Sequence, residues 1–328
     1  MNNRITKKRV LVTGGAGFIG SNLVDDLLLN DNFVVCLDNF STGKRENIAH
    51  LKNNPNFCLL EGDIRNLEDC KKACTDVEII FHQAALGSVP RSIEDPITTN
   101  EVNVSGFLNM LVAARDAAVK RFVYACSSST YGDSKELPKV EDKIGKPLSP
   151  YAITKYVNEL YGDVFANLYG MQLIGLRYFN VFGRRQDPFS TYSAVIPKFV
   201  SALIKHEPVT INGDGSFSRD FTYIENVILA NHLAAKTDNP EAINQIYNVA
   251  CGEQTTLNQM VEDLIEFMSE FDQKIKNTEV IYGPNRKGDI PHSWASIDKI
   301  QTKMNYQPLY FFKEGLKASC KWYWENLQ

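Results

Sequence analysis

The sequence predicts an α/β fold: a doubly wound parallel sheet followed by a smaller mixed α/β domain. Three observations predict it. Short apolar, β-branched runs alternate with helical patterns through the first half of the chain, which implies parallel strands joined by right-handed crossovers. The first such run passes at once into a glycine-rich turn and an amphipathic stretch, Val10-Leu-Val-Thr-Gly-Gly-Ala-Gly-Phe-Ile-Gly20. The second run ends on an acid, Asp38, 18 residues after Gly20.

The glycine-rich turn carries the first functional implication. Gly14, Gly17 and Gly20 let the backbone approach a ligand, and the helix beginning at Phe18 and Ile19 offers free N–H groups to a pyrophosphate. Asp38 would accept hydrogen bonds from adenosine ribose hydroxyls and repel a 2′-phosphate, so the pattern selects NAD over NADP.

The elements follow in order. Strands are expected at 9–13, 33–37, 57–61, 78–82, 121–126 and 172–177, with helices near 18–30, 66–74, 97–117 and 150–168. The second half carries a helix near 194–205, a strand near 208–212, and helices near 225–236, 256–270 and 312–325. No linker, repeat or low-complexity tract separates the halves.

Ligands of doubly wound sheets sit outside the carboxyl ends of the strands, so strand-end residues are the candidates. They are Asp38 and Asn39, Asp63 and Ile64, Gln83, Ala84 and Ala85, Ser127, Ser128 and Ser129, and Tyr178 and Asn180. Small side chains at Ala84 and Ala85 let a cofactor lie flat, and Asp63 is placed to accept from an adenine amino group. Ser41, Thr42 and Gly43 form either a cofactor-edge loop or a plain polar turn. His82 reads as a packed strand-end residue rather than a catalytic base.

The chemistry is expected between 126 and 155. Ser149-Pro150 starts a helix by side-chain capping and a first-turn proline, which puts Tyr151 and Lys155 on one helix face. A phenol with its usual pKa of about 10 is a poor base at neutral pH. A nearby ammonium and a positively charged nicotinamide would favour the phenolate.

Composition limits the alternatives. A net charge of −4 leaves no basic footprint for nucleic acid. There is no signal peptide and no apolar run long enough to span a bilayer. Seven scattered cysteines read as reduced thiols, which implies the cytoplasm. Cys70 and Cys74 would share a helix face without further ligands, so no metal site is expected.

Gly14-x-x-Gly17-x-x-Gly20, Asp38, Ser127 and Tyr151-x-x-x-Lys155 together resemble the extended short-chain dehydrogenase/reductase family, specifically its nucleotide-sugar 4-epimerases. The likeness runs almost the full length. Arg177–Gly183, Gly213-x-Gly215 with Arg219-Asp220-Phe221, and Arg286-x-Gly-Asp289 are similar to that family's UDP-binding segments. Gly87-Ser-Val-Pro-Arg91 and Gly183-Arg-Arg-Gln-Asp-Pro188 most resemble the subgroup acting on UDP-N-acetylated hexosamines.

The resemblance implies a Rossmann-type NAD domain over 1–180 and a UDP-sugar domain over 181–328, part of 216–250 returning to the large sheet. It implies bound NAD, a homodimer, and interconversion of UDP-N-acetylglucosamine and UDP-N-acetylgalactosamine. Tyr151 would be the base, Ser127 its partner on the sugar oxygen, and Lys155 the group orienting the nicotinamide ribose. It places Gly87, Ser88, Arg91, Asn180, Gln186, Ala194, Val195, Ile211, Asn212, Arg219, Arg286, Asp289 and Ser293 around the UDP-sugar. Arg219 and Arg286 would clamp phosphates, and Ser293 would leave room for an acetamido group. The related dehydratases carry Asp-Glu where this chain has Ser128-Ser129, and the decarboxylases carry Glu at the second position, so both chemistries lack their acid. A UDP-hexuronic acid epimerase stays open through Arg91, Arg184 and Arg185. A UDP-glucose/galactose epimerase and a silent NAD-binding regulator are the other readings.

Overall fold

The computed structural model describes residues 3–188, 194–284 and 291–327. Its first half runs β1 (Arg9–Thr13), α1 (Phe18–Leu29), β2 (Phe33–Asp38), β3 (Phe57–Glu61), α2 (Leu67–Ala73), β4 (Ile79–His82), α3 (Val89–Glu94), α4 (Pro96–Asn100), α5 (Gly106–Asp116), β5 (Arg121–Ser127), α6 (Pro150–Tyr169) and β6 (Leu173–Tyr178). The second half runs β7 (Val181–Phe182), α7 (Val195–Ile204), β8 (Val209–Asn212), β9 (Ser218–Arg219), β10 (Thr222–Tyr223), α8 (Ile224–Lys236) and β11 (Gln245–Val249). It ends with β12 (Thr255–Thr256), α9 (Leu257–Met268), β13 (Val280–Gly283), β14 (His292–Ser293), α10 (Asp298–Met304) and α11 (Phe312–Asn326).

Seven strands form one parallel sheet in the order β11-β6-β5-β4-β1-β2-β3. Both faces are covered, which is why the strands read as unbroken apolar runs rather than alternating ones. Val10 and Val12 of β1 join the core under α1 and α8, while Leu11 joins the core under α2 and α5. Chain order reverses at β1, with β2 on one side and β4 on the other. A crevice opens above such a reversal point.

One local departure from the expected elements matters. The stretch read as one helix over 97–117 is α4, a π turn at Glu101–Ser105, and α5. A π turn adds one residue while leaving each flank's apolar spacing intact, so periodicity does not reveal it. The return of part of 216–250 to the large sheet, which the resemblance implies, is made by β11, beside β6 with Val249 opposite Tyr178. The short helices α3 and α10 and the strand β13, paired in parallel with β8, carry too little periodicity to be read from sequence.

Candidate active site

The carboxyl ends of the large sheet lie in register. Thr13 sits opposite Leu37 and His82, and Ser127 opposite Tyr178. Over β1, β2 and β4 these ends enclose a cleft of about 250 Å³. Its lining includes Gly14, Gly17, Phe18, Ile19, Gly20, Asp38, Asn39, Ser41, Thr42, Gly43, Asp63, Ile64, Gln83, Ala84, Ala85 and Gly87. Leu37, Gly62, Leu86 and Val102 complete it.

Packing explains the glycines. Gly14 has φ +67°, and a Cβ there would lie 2.8 Å from the Ala84 backbone. A Cβ on Gly20 would lie 2.1 Å from the Gly14 carbonyl. Gly17 caps α1 without any side-chain acceptor, leaving the first-turn N–H groups facing the cleft. That is a cradle for a phosphate. Asp38 closes it: its carboxylate accepts from Ala16 N at 2.9 Å and Phe40 N at 2.8 Å. Burial raises the Asp38 pKa against these two bonds. Asp63 is more committed than its sequence position implies. It accepts from the Arg65 guanidinium and backbone and from Asn39 Nδ2, and the Arg65 bonds lead in holding its pKa down at about 2. An adenine amino group would compete with those donors.

Behind the cleft, α6 starts as its sequence dictates. Ser149 Oγ accepts from Ala152 N at 3.1 Å and Pro150 occupies the first turn, a cap worth about 1 kcal/mol. Lys155 is almost wholly buried, its ammonium donating to Ala125 O at 2.8 Å. Burial pulls its pKa down to about 8. Tyr151 bonds to the Ser127 hydroxyl, which lowers its pKa, but burial raises it more. The expected lowering by the lysine is therefore not seen in the chain alone; desolvation dominates. Ser127 Oγ in turn accepts from Ser129 N at 3.1 Å and Ser129 Oγ at 2.9 Å. Ser128 stands beside them, half-buried.

Tyr178 is held away from solvent by Gln83 and by Asn231, whose Nδ2 donates to the phenol at 2.9 Å. His82 is a packing residue, as its sequence context indicates. It lies between Phe107 and Phe122, bonds to Thr13 Oγ1 at 2.9 Å, and burial pushes its pKa down to about 3.

Two buried polar groups hold structural roles that sequence reasoning did not assign. Asn103, in the π turn, accepts from Leu86 N and donates to Leu86 O and to Thr154 Oγ1. Thr154 in turn bonds to Tyr151 O at 2.8 Å. The cleft wall and the Tyr151 turn are thus bolted together by one buried amide. Asp220 is the second. Its carboxylate accepts from Cys251 N, Gly252 N and Ala295 N. Neither role has a local signal, because each partner lies tens of residues away.

The remaining candidates lie outside the cleft lining, in a region termed the rim. Ser88 caps α3 by accepting from Arg91 N. β9 and β14 pair in parallel with Ser293 opposite Arg219, and Asp220 N donates to Ser293 O. Arg219 Nη1 donates to Ser218 O and Pro291 O. Asn180, at φ +34°, donates to Asp220 O. Gln186 donates to Val181 O while its Oε1 is buried without a partner. Arg184 pairs with Glu225 at 2.6 Å and Arg185 with Asp25 at 2.7 Å. Ala194 and Val195 begin α7, and Ile211 is buried in β8 beside exposed Asn212. Arg286 and Asp289 lie outside the described residues.

Among the described residues no group of three or more His, Cys, Asp or Glu could hold a metal, and no helix is long and apolar enough to cross a membrane.

A parallel sheet with a phosphate cradle, an acid at the second strand end, and Ser127 at the end of β5 with Tyr151 and Lys155 on α6 defines a dinucleotide-dependent enzyme. Residues 10–250 match the model of the NAD dependent epimerase/dehydratase family. The chain belongs to that family, the extended short-chain dehydrogenase/reductases, and is an NAD-dependent UDP-sugar 4-epimerase by kind. A putative UDP-glucose 4-epimerase of Methanocaldococcus jannaschii is 37% identical over 97% of this chain and 99% of its own length. The structure of a UDP-N-acetylglucosamine 4-epimerase from Methanobrevibacter ruminantium, in complex with UDP-N-acetylmuramic acid, is 39% identical. It superposes with a TM-score of 0.90, covering 97% of this chain and 99% of that one. A UDP-glucuronic acid 4-epimerase from Bacillus cereus, in complex with UDP-glucuronic acid and NAD, is 30% identical with a TM-score of 0.85, covering 97% and 99%.

Proposed function

We propose that this enzyme interconverts UDP-N-acetylglucosamine and UDP-N-acetylgalactosamine by reversible oxidation at C4, with NAD held in the cleft through the cycle. NAD bound in the cleft would supply a hydride acceptor and donor for C4 of the sugar. Residues 1–180 form the NAD-binding part and 181–328 the UDP-sugar part, with 245–249 lent back to the large sheet.

Each side chain then has a task. The N–H groups of Phe18 and Ile19 hold the pyrophosphate, and Asp38 receives the adenosine ribose. Tyr151 removes the proton of the 4-hydroxyl and gives it back, with Ser127 bonded to the phenol oxygen. Lys155 holds the nicotinamide ribose and supplies a desolvated positive charge to the phenolate. Arg219 and Arg286 anchor the diphosphate, so that the keto sugar turns over without leaving.

The observation that carries the choice of sugar is the state of the rim arginines. A uronate would need an unneutralised guanidinium; of Arg91, Arg184 and Arg185, the last two are each paired with a carboxylate of the chain. Ser293, small and set opposite Arg219, supports space for an acetamido group. The relative described as a UDP-N-acetylglucosamine 4-epimerase supports the same reading.

Two wider expectations belong to it. The outer face of α6 exposes Ile153, Leu160, Val164 and Leu168, beside exposed Ile93 and Ile97. A continuous apolar stripe of this kind supports a helix-packed homodimer. Unpaired cysteines at all seven positions support a reducing, cytoplasmic setting.

The test is a side-by-side epimerisation assay on UDP-N-acetylglucosamine, UDP-glucose and UDP-glucuronate. The highest kcat/KM is expected on the acetylated sugar. A preference for UDP-glucuronate would overturn the choice.

A further inference from the structure

We propose that Ser129 is a positioning residue: its hydroxyl donates to Ser127 Oγ and thereby commits the Ser127 proton to the Tyr151 oxygen. The proposal rests on the reading of Tyr151 as base and gives that base its partner's orientation.

A serine hydroxyl has one proton and two acceptor lobes. On Ser127 Oγ one lobe is taken by Ser129 N at 3.1 Å. An N–H can only donate, so that direction is fixed. The second contact is Ser129 Oγ at 2.9 Å. A tyrosinate can only accept, so a Ser127 bonded to it must be the donor. Its single proton is then spent toward Tyr151, and the hydroxyl–hydroxyl contact must run from Ser129 to Ser127. The chain of donors is Ser129 to Ser127 to Tyr151.

The helix cap does not require this second bond. Ser127 caps the short turn Ser128–Tyr131 through the Ser129 N–H alone. The hydroxyl of Ser129 adds nothing to that cap, yet it lies within hydrogen-bond distance of the oxygen that meets the base. Donors linked in this way polarise one another, so the Ser127 proton becomes a better donor to a phenolate. The Ser127 bond already opposes the effect of burial on Tyr151.

The experiment uses the NAD-loaded enzyme and three variants, Ser129→Ala, Ser129→Thr and Ser127→Ala, with the Ser127→Ala/Ser129→Ala double variant. Two quantities are read: the pH profile of kcat, and the phenolate absorbance that disappears in Tyr151→Phe. Ser129→Ala should move the acidic limb of kcat and the absorbance midpoint upward by about 0.1–0.6 pH unit, about 10–30% of the worth of a hydrogen bond to a charged group. Near neutral pH kcat should fall by up to about four-fold with KM little changed, and Ser129→Thr should restore both readouts. In the Ser127→Ala background, loss of the Ser129 hydroxyl should add almost nothing.

An unshifted midpoint with a raised KM would make Ser129 a sugar contact and overturn the proposal. Full additivity of the two serine losses would overturn it as well. Turnover surviving in Tyr151→Phe would instead remove the assignment of the base itself, a distinct result that takes the proposal with it.

Discussion

The cleft and the rim hold their residues by different means. In the cleft the ligand-facing surface is largely backbone: glycines at van der Waals limit against neighbouring strands, and a helix end with open N–H groups. In the rim it is side chain: strands only two residues long, β9 and β14, kept in place by the buried Asp220 carboxylate and its three N–H donors. A surface made of backbone tolerates no added atom, whereas one made of side chains can be re-cut by substitution. The first suits a cofactor that does not change, and the second suits a site that chooses among sugars. The two are tied together by Lys44–Asp187 at 3.2 Å and by Asn22 Nδ2 donating to Arg184 O at 3.1 Å.

The largest effect should come from adding one methyl group to the cleft. In Gly20→Ala the new Cβ meets the Gly14 carbonyl at 2.1 Å, and backbone on both sides must move. Overpacking of this kind costs about 1–3 kcal/mol, and it opens the loop that cradles phosphate. NAD should no longer co-purify, as read from the absorbance of cofactor released on denaturation. Retention of stoichiometric NAD would break the contrast between the two regions.

The rim should respond with selectivity rather than collapse. Ser293→Tyr puts a ring on β14 opposite Arg219. It should lower kcat/KM for the N-acetylated substrates about ten- to hundred-fold, equivalent to about 1–3 kcal/mol, and leave UDP-glucose turnover much less affected. Equal losses on both sugars would place the gate elsewhere.

A third effect concerns stability and pH and leaves ligand binding aside. His82 has a folded pKa near 3, below its ordinary value of 6.5, because burial disfavours its charge. The unfolded chain binds a proton below pH 6.5 and the folded chain does not, so stability is full above 6.5 and falls as pH drops towards 3. By pH 4.5 this contributes a loss of about 2–3 kcal/mol. His82→Asn, though less stable at neutrality, should lose that increment between pH 6.5 and 4.5 in urea unfolding. An identical slope in both proteins would contradict the buried neutral imidazole.

The same division decides what could be read from the sequence. The glycine turn, Asp38, and the Ser149-Pro150 start that presents Tyr151 and Lys155 each depend on residues within one strand–turn–helix unit. Local physics therefore placed them. Asn103 and Asp220 act through partners such as Thr154 and Ala295, 51 and 75 residues away, and no local pattern marks them. The rise in the Tyr151 pKa that burial causes in the chain alone is not legible for a related reason. The neighbouring lysine is visible at four residues' distance, whereas burial is a property of the whole fold. Rim residues such as Arg219 and Ser293 were nameable only through family resemblance.

One measurement tests the central claim most directly. UDP-N-acetylglucosamine carrying deuterium at C4 is incubated with the purified protein, without added cofactor, and the product is followed by NMR. The account predicts conversion to UDP-N-acetylgalactosamine with the deuterium kept at C4, because the hydride leaves and returns within one closed site. Conversion with loss of the label to water, or no conversion of this sugar, would contradict it.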